Sequence, residues 1–349
     1  MLTRKQVSEI KEHLEKAQNP IFFFDNDDDG LTSFLLLRRY IRRGKGVAIR
    51  SFPDLNANYA RKLHELKPDY IFVLDKPEIS EGFLEEAREM NLPLVWIDHH
   101  NVPKPESKEI YYFNPYHKDK TNEPVAYLCY KIVGKQDLWL AMAGCIGDNY
   151  FPDFAKEFEK RYPELWGKNI KTAFQALYTT EIGRVARILN FSLKDRTTKV
   201  VNMLKYLCTI KGPHDVLNED KARAILQRFK QVNDKYSKLV EKAKKFAKGD
   251  LLFFQYGGEF SLSADISNEL SFLYPDKIIV VAYVKGEKAN ISLRWKKNVR
   301  ELTLKAIEGI EGASGGGHEH ATGAKVNLED LPRFKENLMK LIRALVKPL

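Results

Sequence analysis

Three aspartates alternate along the run Phe22-Phe23-Phe24-Asp25-Asn26-Asp27-Asp28-Asp29-Gly30. Asp75, then Asp98-His99-His100, then Asp148 follow, each near the end of another apolar stretch. Unpaired carboxylates are costly to bury, so an ordinary core gains nothing from such a set. Carboxylates and imidazoles in this mixture are donors for divalent cations: they suit Mn²⁺, and the hard oxygens also admit Mg²⁺. The histidine shifts the expected metal toward Mn²⁺, with Mg²⁺ as the alternative. Two such ions roughly 4 Å apart neutralise the charge that develops on a phosphate ester during hydrolysis.

Acids at strand ends need a sheet to hold them. Apolar periodicity predicts helices over 3–17, 32–41, 57–66, 80–89, 123–133 and 137–146. It predicts strands over 21–24, 46–50, 70–74, 94–97 and 111–114. Gly30 is expected to allow a tight turn between the first strand and the helix from Thr32. Asp28 reads as a loop acid facing solvent. The alternation is that of a parallel sheet covered by helices, whose ligands bind beyond the carboxyl ends of the strands. Asp25, Asp27, Asp75, Asp98 and His99 all fall on that edge. Residues 153–247 are mostly long, charged helical patterns. Strands over 251–256, 277–284 and 289–295 and helices over 263–273 and 301–307 then precede a glycine-rich patch at 312–323. The expected fold is α/β: a parallel-sheet domain with its core in 1–152, a helical extension and connector over 153–247, and a smaller α/β domain over 248–349.

The 349 residues exceed the usual size of one domain. No run approaches the roughly 18 apolar residues of a membrane span. The start, Met1-Leu2-Thr3-Arg4-Lys5-Gln6, leads into charged helical sequence and not into an apolar signal core, so a cytoplasmic location is expected. Cys129, Cys145 and Cys208 form no CxxC pair, which argues against a zinc knuckle and for buried thiols. The 57 basic and 47 acidic residues leave a net charge of +10, which favours polyanionic partners without specifying one. Abundant Lys and Glu lean toward a thermophilic source.

These residues resemble the DHH phosphoesterase superfamily, named for the Asp98-His99-His100 signature, over nearly the whole chain. The motif Asp25-x-Asp27-x-Asp29-Gly30 is most similar to that of RecJ-type single-strand exonucleases, archaeal members above all. Phe23 stands where many other branches carry a histidine, which argues against the pyrophosphatase pattern. Ser292-Leu293-Arg294 and Gly315-Gly316-Gly317-His318-x-x-Ala321-x-Gly323 resemble the DHHA1 substrate-binding domain. The resemblance implies Asp25 and Asp27 on one metal, Asp29, His99 and Asp148 on the second, and Asp75 bridging them. Asp98 would orient a histidine or complete a coordination shell, and His100 would contact the scissile phosphate. The expected catalytic residues are thus Asp27, Asp75, His99 and His100, with Arg294, Gly315, Gly316, Gly317 and His318 binding substrate.

The implied activity is exonucleolytic hydrolysis of single-stranded nucleic acid, DNA ahead of RNA, with polarity unassigned. One alternative is a phosphodiesterase for oligoribonucleotides or cyclic dinucleotides. Another is a catalytically weak replication or repair scaffold. Tyr256, Phe260, Tyr283 and Trp295 are available for base stacking, although core packing is expected for most. Arg38, Arg39, Arg42, Arg43 and Lys45, near the first motif, form one basic group. Lys285, Lys288, Lys296, Lys297 and Arg300 form another. The helical middle is the natural docking surface for a repair or replication protein such as a helicase, or for a second copy of the chain.

Overall fold

The computed structural model describes residues 1–346 apart from Phe52 and Lys108, and the chain divides into units spanning 1–230 and 231–349. The first unit contains β1 (Ile21–Asp25), β2 (Lys45–Ile49), β3 (Asp54–Leu55), β4 (Ile71–Leu74), β5 (Glu78–Ile79), β6 (Leu94–Ile97) and β7 (Ile110–Phe113). Five of them pair in the order β2-β1-β4-β6-β7, every pair parallel, while β3 and β5 form a short ladder of their own. Side chains alternate along each strand. Phe22, Phe24, Phe72, Leu74, Val95 and Ile97 therefore share one face of the sheet. Ile21, Phe23, Ile71, Val73, Leu94 and Trp96 share the other. The first face packs with helices Asp28–Ile41, Val125–Ile132, Leu138–Gly147 and Glu181–Leu193. The second packs with Arg61–Leu66 and Glu81–Glu89. Burial on both faces is why these strands are unbroken apolar runs. Helices from the middle of the chain add Phe158, Leu189, Leu204 and Ile225 to the first core. Cys129 and Cys145 are buried, and burial pushes both thiols up. Among the described residues no helix is long and apolar enough to cross a membrane.

The helix expected from Thr32 begins at Asp28 instead. Asp27 is its N-cap, and its carboxylate accepts the Gly30 N–H at 3.0 Å. Acids at the positive end of a helix are favourable, so the run of aspartates starts the helix. Gly30 thus serves no turn. It lies where a Cβ would come 2.3 Å from the Asp25 carbonyl oxygen. Asp28 does not face solvent: it is 5% exposed and packs on Gly147, whose Cβ would fall 2.4 Å from that of Asp28.

The first basic group is not beside the motif. Arg39 follows Asp29 by roughly 15 Å along the helix axis. It forms a two-pronged ion pair with Asp137 at 2.7 and 3.0 Å and donates to the Leu207 and Ile210 carbonyls. Arg43 donates to the Ala17, Glu15 and Leu14 carbonyls at the end of helix Arg4–Lys16, and Arg38 to that of Gly44. These arginines brace the fold. Arg39→Met leaves Asp137 unpaired and should cost about 2–4 kcal/mol in thermal or denaturant unfolding while the acids of the first motif remain in place. An unchanged unfolding midpoint would refute this bracing role.

The second unit contains β8 (Leu251–Gly257), β9 (Ile278–Lys285), β10 (Lys288–Arg294), β11 (Ser314–Gly317) and β12 (Ala321–Asn327). They pair in the order β11-β12-β10-β9-β8, antiparallel except for β8 with β9. Leu302 and Ala306 of helix Val299–Ile307 and Phe334 and Leu338 of the last helix join one core with Val280, Ile291 and Leu293. The glycine-rich patch contributes an edge strand, β11. Tyr256 and Tyr283 are buried, and their hydroxyls bond the Leu262 N–H at 2.6 Å and the Gly258 carbonyl at 2.9 Å.

Candidate metal centre

Asp25, Asp75 and Asp98 sit at the carboxyl ends of the neighbouring strands β1, β4 and β6. Asp75 has φ of 58°, a left-handed conformation that Asp tolerates better than most residues, and its N–H donates to the Ile97 carbonyl at 3.0 Å. Asp27 and Asp29 come from the start of helix Asp28–Ile41. Asp148 is the C-cap of helix Leu138–Gly147. That helix approaches closely because Gly144 has no side chain: a Cβ there would lie 2.1 Å from Thr32 Oγ1.

The structure brings the expected ligands together. Asp25, Asp27 and Asp75 each place a carboxylate oxygen within 4.8 Å of the others, as do the donor atoms of Asp29, His99 and Asp148. Asp75, Asp98 and His100 form a third such group. Asp75 Oδ1 also lies 3.4 Å from His99 Nε2, so this carboxylate faces both of the first two groups. Burial, with Asp25 and Asp98 close by, raises Asp75 to about 7 against the opposing pull of His100 and Lys76. Burial and then Asp75 push Asp27 and Asp29 up as well. Converging oxygen and imidazole donors, crowded enough to repel one another, fit divalent cations.

Asp98 is fully buried. Its Oδ1 lies 2.7 Å from His100 Nδ1, and its Oδ2 accepts the His100 N–H at 3.1 Å. Of its two expected roles, these contacts favour orienting the histidine. Burial alone would lower His100, but the Asp98 carboxylate overrides it and raises the imidazole to about 10. In Asp98→Asn that support is gone. The ring should then titrate closer to its ordinary value of about 6.5, followed by NMR, and turnover should fall by roughly 10–100-fold. A His100 titration that does not move would refute the pairing.

Asp29 does a second job that the sequence does not reveal. Its two oxygens accept the Val125 and Ala126 N–H groups at 2.7 and 2.6 Å and so cap helix Val125–Ile132. Two further residues escaped the sequence reading. Lys76 is fully buried, and its ammonium donates to Asp25 Oδ1 at 2.9 Å and to the Ser51 carbonyl at 2.8 Å. Its position next to Asp75, one step beyond a buried strand, was the available signal. Asn114, just past β7, donates to the His100 carbonyl at 2.9 Å and to the Tyr112 hydroxyl at 2.8 Å.

In the second unit Arg294 ends β10 opposite Ala321, and Gly317 pairs with Thr322. The His318 N–H donates to the Ala321 carbonyl at 2.9 Å. Arg294, Gly317 and His318 thus share one end of this sheet, with Gly315 and Gly316 further along β11. Asn268, also unforeseen, accepts Arg294 Nε at 2.6 Å.

Fold and donor groups together are consistent with the metal-dependent phosphoesterase class. A DHH family N-terminal domain matches residues 21–146 and a DHHA1 domain matches 251–344, and the chain belongs to the DHH/DHHA1 phosphoesterase superfamily. Among curated proteins none matches the sequence. RecJ from Thermus thermophilus in complex with Mn²⁺ shares the fold at 14% identity and a TM-score of 0.69, over 99% of this chain and 55% of that one. The present chain therefore spans about half the length of that protein. The DHH domain of a member of a ribosomal protein family aligns at 16% identity and a TM-score of 0.71, over 97% and 89% of the two chains. An exonuclease RecJ bound to manganese aligns at 14% and 0.62, over 99% and 94%. At such identities the likeness is one of fold.

Proposed function

We propose that this chain is a divalent-metal-dependent exonuclease that hydrolyses phosphodiester bonds of single-stranded nucleic acid, DNA ahead of RNA. The observation that carries this reading is the convergence of donor groups on Asp75 at the carboxyl edge of the parallel sheet. The fold shared with manganese-bound RecJ structures supports the nuclease branch and Mn²⁺, and a Mg²⁺ complex supports the alternative ion. Asp25, Asp27 and Asp75 would hold one ion, and Asp29, His99 and Asp148 with Asp75 the other. When bound, such ions neutralise charge on the attacking and leaving oxygens. The chain's own residues do the rest. Asp98 keeps His100 oriented and protonated, and the imidazolium meets charge developing on a phosphoryl oxygen. Arg294 and the amides of Gly315, Gly316, Gly317 and His318 would hold a phosphate of the strand. The proposed partner is a replication or repair protein such as a helicase, docking on residues 153–247, with self-association as the alternative. The full donor set weighs against a catalytically weak scaffold.

A shorter substrate, an oligoribonucleotide or cyclic dinucleotide, is the second reading. Arg38, Arg39 and Arg43 are spent on structural contacts, Lys296 pairs with Asp276, and Lys288 bonds Asn327, so less of the basic excess is available for the track that a long strand needs. The test uses Mn²⁺ and a single strand of DNA of about 30 nucleotides, labelled separately at each end, beside a dinucleotide RNA. Asp75→Ala runs in parallel. Stepwise shortening from one end supports the exonuclease and supplies its polarity. Cleavage of the dinucleotide alone moves the enzyme to nucleotide turnover.

A further inference from the structure

We infer that the two metal positions of this chain are unequal: the one built on Asp25, Asp27 and Asp75 binds its cation far more weakly than the one built on Asp29, His99 and Asp148, because Lys76 already holds a positive charge on Asp25. The inference rests on the metal-dependent reading above.

Lys76 is 0% exposed. Its ammonium is held between Asp25 Oδ1 and the Ser51 carbonyl, and its own carbonyl accepts the Trp96 indole N–H at 2.8 Å. Lys76 is thus held at its ammonium and at its backbone. Asp25 Oδ1 also accepts the Asn26 N–H at 2.9 Å, which fixes the carboxylate against the ammonium. A divalent ion at Asp25 would share its ligand with a like charge only 2.9 Å away, carried by a side chain that is itself out of water. The other position differs in kind. Asp29 is fixed there by uncharged backbone amides, and His99 adds an imidazole donor that favours Mn²⁺. His100 lies 3.9 Å from Asp75 and its ring centroid 4.7 Å from that of His99, so its charge borders the second group, whereas Lys76 donates directly to a carboxylate oxygen of the first. Lys76 has a clear use without metal: it keeps Asp25 from standing uncompensated beside other carboxylates. The consequence is a protein that carries one ion at rest and completes its pair only at higher free Mn²⁺.

The test is calorimetric titration of the metal-free full chain with Mn²⁺, with free Mn²⁺ counted by EPR. Wild type should show two classes of site whose affinities differ by about tenfold or more. Asp27→Asn should remove the weaker class and Asp148→Asn the tighter one. Lys76→Met, unbranched and of similar length, should tighten the weaker class by about tenfold or more and leave the other within about threefold. Equal affinities in wild type, the reverse assignment by Asp27→Asn and Asp148→Asn, or a folded Lys76→Met in which the weaker class fails to tighten overturns the inference and leaves the metal centre standing. The wild-type titration decides even if Lys76→Met does not fold. No Mn²⁺ binding at all overturns both readings.

Discussion

Asp75→Asn is expected to lose metal-dependent turnover by about 10³-fold or more, because it removes the carboxylate facing both ligand groups, whereas loss of a mere supporting partner costs roughly 10–100-fold. The same substitution should make the metal-free protein more stable at neutral pH. Asp75 is 3% exposed and has its pKa raised to about 7, against about 4 for an aspartate in an unfolded chain. Between those values the folded state holds a proton that the unfolded state has released. Metal-free stability therefore falls as pH rises from about 4 to about 7, by up to about 4 kcal/mol from this group, and stays low above that window. Asparagine carries no charge to desolvate and removes this part of the decline. Asp27 and Asp29 are pushed in the same direction and should leave a residual slope. Denaturant unfolding in chelator at pH 5 and pH 8 reads the effect. Wild type should lose more stability between the two than Asp75→Asn, and Mn²⁺ should restore it to wild type. Parallel pH profiles would show that Asp75 is not held in a repulsive cluster.

Gly30→Ala should be nearly as damaging, although alanine is the better helix former by about 1 kcal/mol and Gly30 lies inside a helix. The new Cβ would come 2.3 Å from the Asp25 carbonyl oxygen and 2.6 Å from the Asp25 nitrogen. Both are backbone atoms, so no side-chain rotation relieves the clash. The first turn of helix Asp28–Ile41 has to withdraw from the end of β1, which separates Asp27 and Asp29 from Asp25. Overpacking of this kind costs about 3 kcal/mol, and a misplacement near 1 Å in a reacting site costs about 10²-fold in rate. Thermal unfolding and single-turnover kinetics measure the two losses. A protein of unchanged or raised stability with full activity would show that the approach of helix to strand is not required.

Local periodicity carried much of the fold. The strand at 94–97 is buried on both faces, and Pro93 before it and Asp98 after it mark its ends. The placement of acids after strands 21–24, 70–74 and 94–97 already put Asp25, Asp75 and Asp98 on one sheet edge, because parallel strands all point their carboxyl ends the same way. What failed locally was the run Asp28-Asp29-Gly30. A cluster of acids before an apolar helix can be a loop or a first helical turn, and only the docking of Gly147 decides that Asp28 is inside.

By itself, then, the sequence determined the α/β alternation, the edge where the donors collect and the identity of most of them, since these follow from side-chain period and residue type along short stretches. The tertiary structure decided how charges are paired. Arg39 finds Asp137 across 98 positions, Lys76 finds Asp25 across 51, and Asp29 caps a helix that starts 96 residues later. It also made an edge strand of Ser314–Gly317, whose glycines have no local strand preference and rely on pairing with β12. Ion pairs and strand pairing connect residues that are remote in the chain. Their partners are selected by which elements pack together and how much water is excluded between them, and no local pattern encodes that.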